Sequence, residues 1–141
     1  MMSDSLKGLL SCCISMRNSY NGGKWTPAKF KAWVIGILRR AMVRWEPKRD
    51  ALDEACVGQK VNKRTGRLAK HYCCADCGGV FVLRDVQVDH IEPVVDPEVG
   101  FVDWETFVDR MFCETDNLQV LCRPCHKSKT TAEAKVRKEN R

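Results

Sequence analysis

Histidine is scarce in this 141-residue chain: there are three, His71, His90 and His126. No apolar run reaches membrane-spanning length, which excludes a helical membrane span and leaves a soluble protein as the expectation. Leu6–Met16 is too short and too weakly apolar for a signal peptide, and it lacks a clear small-residue cleavage site, so a cytoplasmic location is expected. No internal repeat or low-complexity segment is visible, which excludes a solenoid or a fibrous chain. Acidic residues are in deficit: 18 Asp and Glu stand against 24 Lys and Arg, a net charge of +6. That balance favours a polyanionic partner without naming one.

Cysteine, in contrast, is abundant, with nine residues. An odd number cannot all pair within one chain. Four fall into two Cys-x-x-Cys pairs, Cys74 with Cys77 and Cys122 with Cys125. That spacing suits four thiolates on one tetrahedral zinc, in which a metal replaces missing core in a small fold. Cys73 is adjacent but does not give the two-residue spacing with Cys77. Such a zinc is fully ligated and has an architectural role. Of the other cysteines, Cys56 and Cys113 read as core filler on apolar helix faces.

Residues 1–23 read as a flexible extension with a turn-rich break at Asn18 to Gly23. Residues 24–72 read as a helical region with a basic arm. Thr26-Pro27 starts a helix whose apolar positions run from Phe30 to Trp45 at helical spacing. Pro47 begins a second helix, which Gly58 closes. Lys60 to Tyr72 reads as a hairpin or an extended arm around Arg64-Thr65-Gly66, with no acid between Lys60 and Lys70. Residues 73–141 read as the core: strands over Val80–Leu83 and Val86–His90, a helix capped by Asp103, a buried strand over Leu118–Leu121, and a last basic helix from Pro124. The fold class expected is α+β.

Two segments concentrate the chemistry: VDHIEP, Val88 to Pro93, and NLQVLCRPCHKSKT, Asn117 to Thr130. They hold two of the three histidines beside metal-ligand and general-base residue types, which suits a metal-dependent phosphodiesterase. His90 is the candidate general base, since a neutral imidazole can take a proton from water near pH 7.

Asp89-His90-Ile91, Asn117-Leu118-Gln119 and Cys122-x-x-Cys125-His126-x-x-Lys129-Thr130, in that order, resemble the HNH endonuclease family. More narrowly they resemble the small phage and prophage members with a four-cysteine zinc site. The resemblance covers about Cys74 to Thr130. It implies a zinc-stapled ββα-metal core, preceded by the helical and basic segment. It implies that Asp89 and His126 ligate a catalytic divalent metal, for which Mg²⁺, Mn²⁺ and Ni²⁺ all suit the ligand types. It implies that Asn117 orients the loop presenting His90 through hydrogen bonds to backbone, and that Lys129 directs a cation at the substrate phosphate. Asp-His stands here where some members carry His-His. His71 reads as a surface or packing histidine.

The function expected is therefore hydrolysis of phosphodiester bonds in double-stranded DNA, with Lys63, Arg64 and Arg67 of the arm contacting phosphates. A phage-encoded enzyme would act in a bacterial cytoplasm, in homing or beside packaging proteins, with no organic cofactor. Two other readings stand beside it: a zinc-stapled DNA-binding module without catalysis, and a nuclease directed at RNA or at nucleic-acid structure. Asp89, His90 and His126 discriminate the first of these, because a binder needs only the cysteines and the basic residues. The sequence leaves strand preference and oligomeric state open.

Overall fold

The computed structural model describes residues 18–141, so most of the expected N-terminal extension lies outside the described residues. The chain divides into two compact units, residues up to 37 and residues 38–141. In the first, Tyr20 pairs with Trp25 around a turn in which Asn21, Gly22 and Gly23 all take positive φ. The ring of Tyr20 stacks on Phe30 at 4.0 Å, and Trp25 meets Trp33 edge-on at 5.5 Å. The part of the expected extension from Tyr20 onward is thus an aromatic-stapled turn. Helix α1, Pro27–Met42, follows; its first turn is capped by the Thr26 hydroxyl, which accepts from Lys29 N.

The helix ends three residues before Trp45. Trp45 instead opens α2, Glu46–Glu54, and its indole donates to Cys113 O at 2.6 Å while its ring packs edge-on against Phe112. The second helix is shorter than expected. Gly58 does not close it: the chain is already in strand β1, Cys56–Val61, and Gly58, at φ 102°, sits beside an irregularity in register between Cys56 and Gly58. That positive φ at the irregularity, open to glycine and strained for other residues, is the reason for glycine there. Neither Cys56 nor Cys113 is helical; the one begins β1 and the other follows the third helix, and both are half-buried.

Strand β2, Leu68–Cys73, pairs antiparallel with β1 and with β3, Val80–Val82, giving the order β1-β2-β3. The expected hairpin is present. Asn62 closes its tip, with its carbonyl accepting from Thr65 N and Gly66 N and its side chain from Arg64 N. Because β2 runs through residues 72 and 73, the basic hairpin and the first Cys-x-x-Cys belong to one sheet.

A second, two-stranded sheet pairs β4, Val86–His90, antiparallel with β5, Leu118–Cys122. Between them lies α3, Trp104–Met111, capped as expected by Asp103, whose Oδ1 accepts from Thr106 N at 2.7 Å. Helix α4, Arg123–Glu139, follows β5 directly. The architecture is α+β. Tyr72, Val86 and Val120 form a core cluster, with Leu52, Ala55, Cys56, Phe81 and Val88 packed on it. That cluster joins both sheets and α2, so β4 and β5 are fixed in place where the site residues leave them.

Candidate metal centre and active-site cleft

Cys74 and Cys77 sit on the turn between β2 and β3. Gly78 N donates to Cys74 O, and Cys74 N to Gly79 O, which folds the turn back on itself. Gly78 takes φ 70°. At Gly79 space decides: a Cβ there would lie 2.7 Å from the Phe81 ring and 3.3 Å from Cys77 Sγ. Cys122 ends β5, and Cys125 lies in the first turn of α4. Ala75 N donates to Val120 O, bringing the two pairs together.

The four sulfur atoms lie within 4.8 Å of one another, and Cys77 Sγ is 3.9 Å from Cys122 Sγ. Tetrahedral zinc with bonds of about 2.3 Å spaces its sulfurs about 3.8 Å apart. The donor set fits, and the cluster can hold a structural metal ion such as zinc. Burial opposes ionisation of Cys74, which is 1 % exposed. Backbone N–H groups outweigh it, chiefly Cys122 N at 3.3 Å from Cys74 Sγ, and bring the thiol down to about 6. Cys125 is pushed far up, first by its contact with Cys122 and then by Asp76 and burial. At Cys77 the Gly79 N–H acts downward, yet the sulfur of Cys74, burial and Cys122 carry it up. One thiol ionises readily and two resist, which is what crowded sulfurs do until a dication shares their charge.

The second cluster lies at the other end of β4 and β5. Adjacent strand residues face opposite ways, and Asp89 and His90 do. Asp89 turns to α4: its Oδ1 is 3.7 Å from His126 Nε2, and its Oδ2 is 2.9 Å from Lys129 Nζ. His90, the last residue of β4, turns to the end of α3, where its Nε2 lies 2.9 Å from Met111 O. A carbonyl only accepts, so Nε2 carries the proton and Nδ1 keeps the lone pair. Both side chains border one open cleft of about 520 Å³, which His126, Lys129, Thr130 and Glu133 also line.

Asp89 Oδ2 is buried, and the Lys129 ammonium stands 2.9 Å from it. The Lys129 ammonium faces it as an ion pair, while its aligned bonds go to Glu133 Oε1 at 2.6 Å and His90 O at 2.9 Å. A buried carboxylate beside an imidazole nitrogen is a donor set that suits a divalent cation. Lys129, expected to face the substrate phosphate, lies between two carboxylates of the protein, Asp89 and Glu133. Burial acts to lower its pKa, but Glu133 and Asp89 together raise it, so the ammonium stays charged.

Asn117 ends a short 3-10 turn before β5. Its Oδ1 accepts from Glu92 N at 2.9 Å, its Nδ2 donates to Glu92 O at 3.2 Å, and its own carbonyl accepts from Ile91 N at 2.9 Å. The segment leaving His90 is therefore held by three bonds to one residue. Lys63, Arg64 and Arg67 are exposed at the hairpin tip, away from the Cα register of the strands. Lys60 pairs with Ala69 and Lys70 with Gln59, so those two cations project from opposite faces of the hairpin. His71 is buried, with Nδ1 against Ala69 O at 2.8 Å, which is a packing role.

Two residues at the cleft were missed in the sequence: Glu133 and Arg137. The signal for both was present. They follow His126 at seven and eleven positions, one helix face running on from Lys129 and Thr130. Arg39, on the basic face of α1, lines the cleft as well. Comparison with protein-family models, with curated proteins and with solved structures finds no match for this chain.

Proposed function

We propose that the chain is a metal-dependent endonuclease of the HNH type acting on double-stranded DNA, with β4, β5 and α4 as its ββα-metal core. One observation carries this reading. Asp89 and His126 meet at 3.7 Å, in the same cleft as a histidine whose Nε2 is committed to a carbonyl.

His90 acts as general base. Met111 O fixes the ring and the tautomer, so Nδ1 is the nitrogen that takes a proton from the attacking water. The same carbonyl then stabilises the imidazolium that forms. Asp89 and His126 would hold a divalent ion, Mg²⁺, Mn²⁺ or Ni²⁺. When bound, that ion supplies charge neutralisation at the scissile phosphate and the departing 3′ oxygen. Asn117 keeps the chain after His90 from swinging into the cleft. Arg39 and Arg137 offer the cleft cations that bind phosphate, in place of Lys129. The hairpin tip, with Lys63, Arg64 and Arg67, contacts the DNA backbone further along. Zinc on Cys74, Cys77, Cys122 and Cys125 holds the β2–β3 turn to the start of α4, and so keeps His126 in position against Asp89.

The test is incubation of the full chain with supercoiled plasmid and each of the three metals, with nicked and linear products separated on a gel. Cleavage by the wild type and its loss in Asp89→Asn are expected. Plasmid that is bound but never cut would leave the chain a zinc-stapled DNA-binding module.

A further inference from the structure

Along α4 the face that meets β4 carries His126, then Lys129 three residues on, then Glu133 four beyond that. This places a cation between two carboxylates. Lys129 Nζ is 2.9 Å from Asp89 Oδ2 and 2.6 Å from Glu133 Oε1. Its third partner is His90 O, at 2.9 Å. The side chains of Asp89, Lys129 and Glu133 are each a quarter exposed or less, so their charges are poorly screened. A divalent ion and the ammonium thus ask for the same carboxylate. Glu133 gives the ammonium a second anchor, one helical turn away and within reach of the same side chain.

We propose that Lys129 is a built-in competitor for Asp89 that sets the divalent-ion affinity of the site, with Glu133 as the carboxylate to which its ammonium withdraws when an ion binds. The inference rests on the reading of Asp89 and His126 as ion ligands. It makes Lys129 a positioning residue for the metal, where a phosphate contact was expected. Asp89 would exchange one cation for another, so its carboxylate is never left bare in a half-buried site. Loose ion binding in the free protein follows from this, because each ion must displace a resident charge.

The experiment is a Mn²⁺ titration of the full chain without DNA, read as free Mn²⁺ by electron paramagnetic resonance. Zinc content and circular dichroism are the controls for folding. Lys129→Gln should bind Mn²⁺ tighter by on the order of tenfold, since a unit charge a few ångströms from an ion costs at least that at protein-surface dielectric. Lys129→Arg keeps the charge and should stay within about threefold of wild type. Glu133→Gln leaves the ammonium Asp89 as its one carboxylate and should bind several-fold more weakly. Affinity unchanged or lowered in folded Lys129→Gln overturns the proposal. Should that variant fail to fold, unchanged or tighter binding in Glu133→Gln overturns it instead. Loss of Mn²⁺ binding in Asp89→Asn and His126→Ala, with no gain in Lys129→Gln, removes the competition alone. Mn²⁺ binding untouched by those two substitutions removes the ligand assignment as well.

Discussion

A neutral imidazole has one donor nitrogen and one acceptor nitrogen, and at His90 the Met111 carbonyl decides which is which. The sequence marked His90 because it was the histidine of the motif without a metal assignment. Nothing in the sequence could name Met111 as its partner, since the contact spans 21 residues and depends on where α3 stops. On the proposed mechanism, His90→Ala should lower plasmid cleavage by on the order of 10²-fold or more. Neither zinc nor Mn²⁺ binding should change, because His90 touches neither site through its side chain; near-normal cleavage would move the base elsewhere. Asn117 makes a different prediction. Its side chain grips Glu92 backbone and reaches no ligand. Asn117→Ala should therefore reduce cleavage by on the order of tenfold through misplacement of His90, with Mn²⁺ affinity as in wild type. A fall in Mn²⁺ affinity equal to the fall in cleavage would give Asn117 a place in the ion site instead.

Among the elements, those with a strong local signal were legible and those decided by packing were not. Asp103 before an apolar periodic run announces α3, and Pro124 announces α4. The segment Leu118–Leu121 reads as a buried strand, and in β5 every residue but Gln119 is buried. The failure came at Cys56–Val61, where helical spacing was carried past Ala55. What ends α2 there is the pairing of β1 with β2, and Gly58 serves the bulge in that pairing. Strand pairing across a hairpin overrides weak helix propensity, and no local residue reports it. The same hairpin carries the third prediction. Its strands leave Val57, Val61 and Leu68 exposed, while Lys63, Arg64 and Arg67 gather at the tip. If the tip tracks the DNA backbone, neutralising those three should weaken binding to every sequence alike. The slope of log affinity against log salt should fall by about 2 to 3, at about 0.9 per phosphate contact. An unchanged slope would make the tip a solvated turn.

At the scale of the whole molecule, the two candidate metal clusters sit at opposite ends of β4 and β5 and ask for opposite properties. The cysteine cluster draws ligands from the β2–β3 turn and from the start of α4, so it closes a long loop between elements that share only a small core. Cys74 and Cys122 are buried at 1 % and 2 % exposure, and four thiolates leave zinc no open position, so exchange should be slow. On the proposed reading, Asp89 and His126 would give an ion two protein ligands in an open cleft, with Lys129 beside one of them, so exchange there should be fast. Brief treatment with EDTA should then abolish plasmid cleavage while zinc content and circular dichroism stay unchanged. Added Mn²⁺ should restore the wild type but not Asp89→Asn. Cys74→Ser should behave in the reverse way, losing zinc and lowering the thermal midpoint by on the order of 10 °C or more, with cleavage lost along with the fold. Protein that is folded and zinc-free when purified without added metal would remove the staple, and with it the reason His126 is held against Asp89.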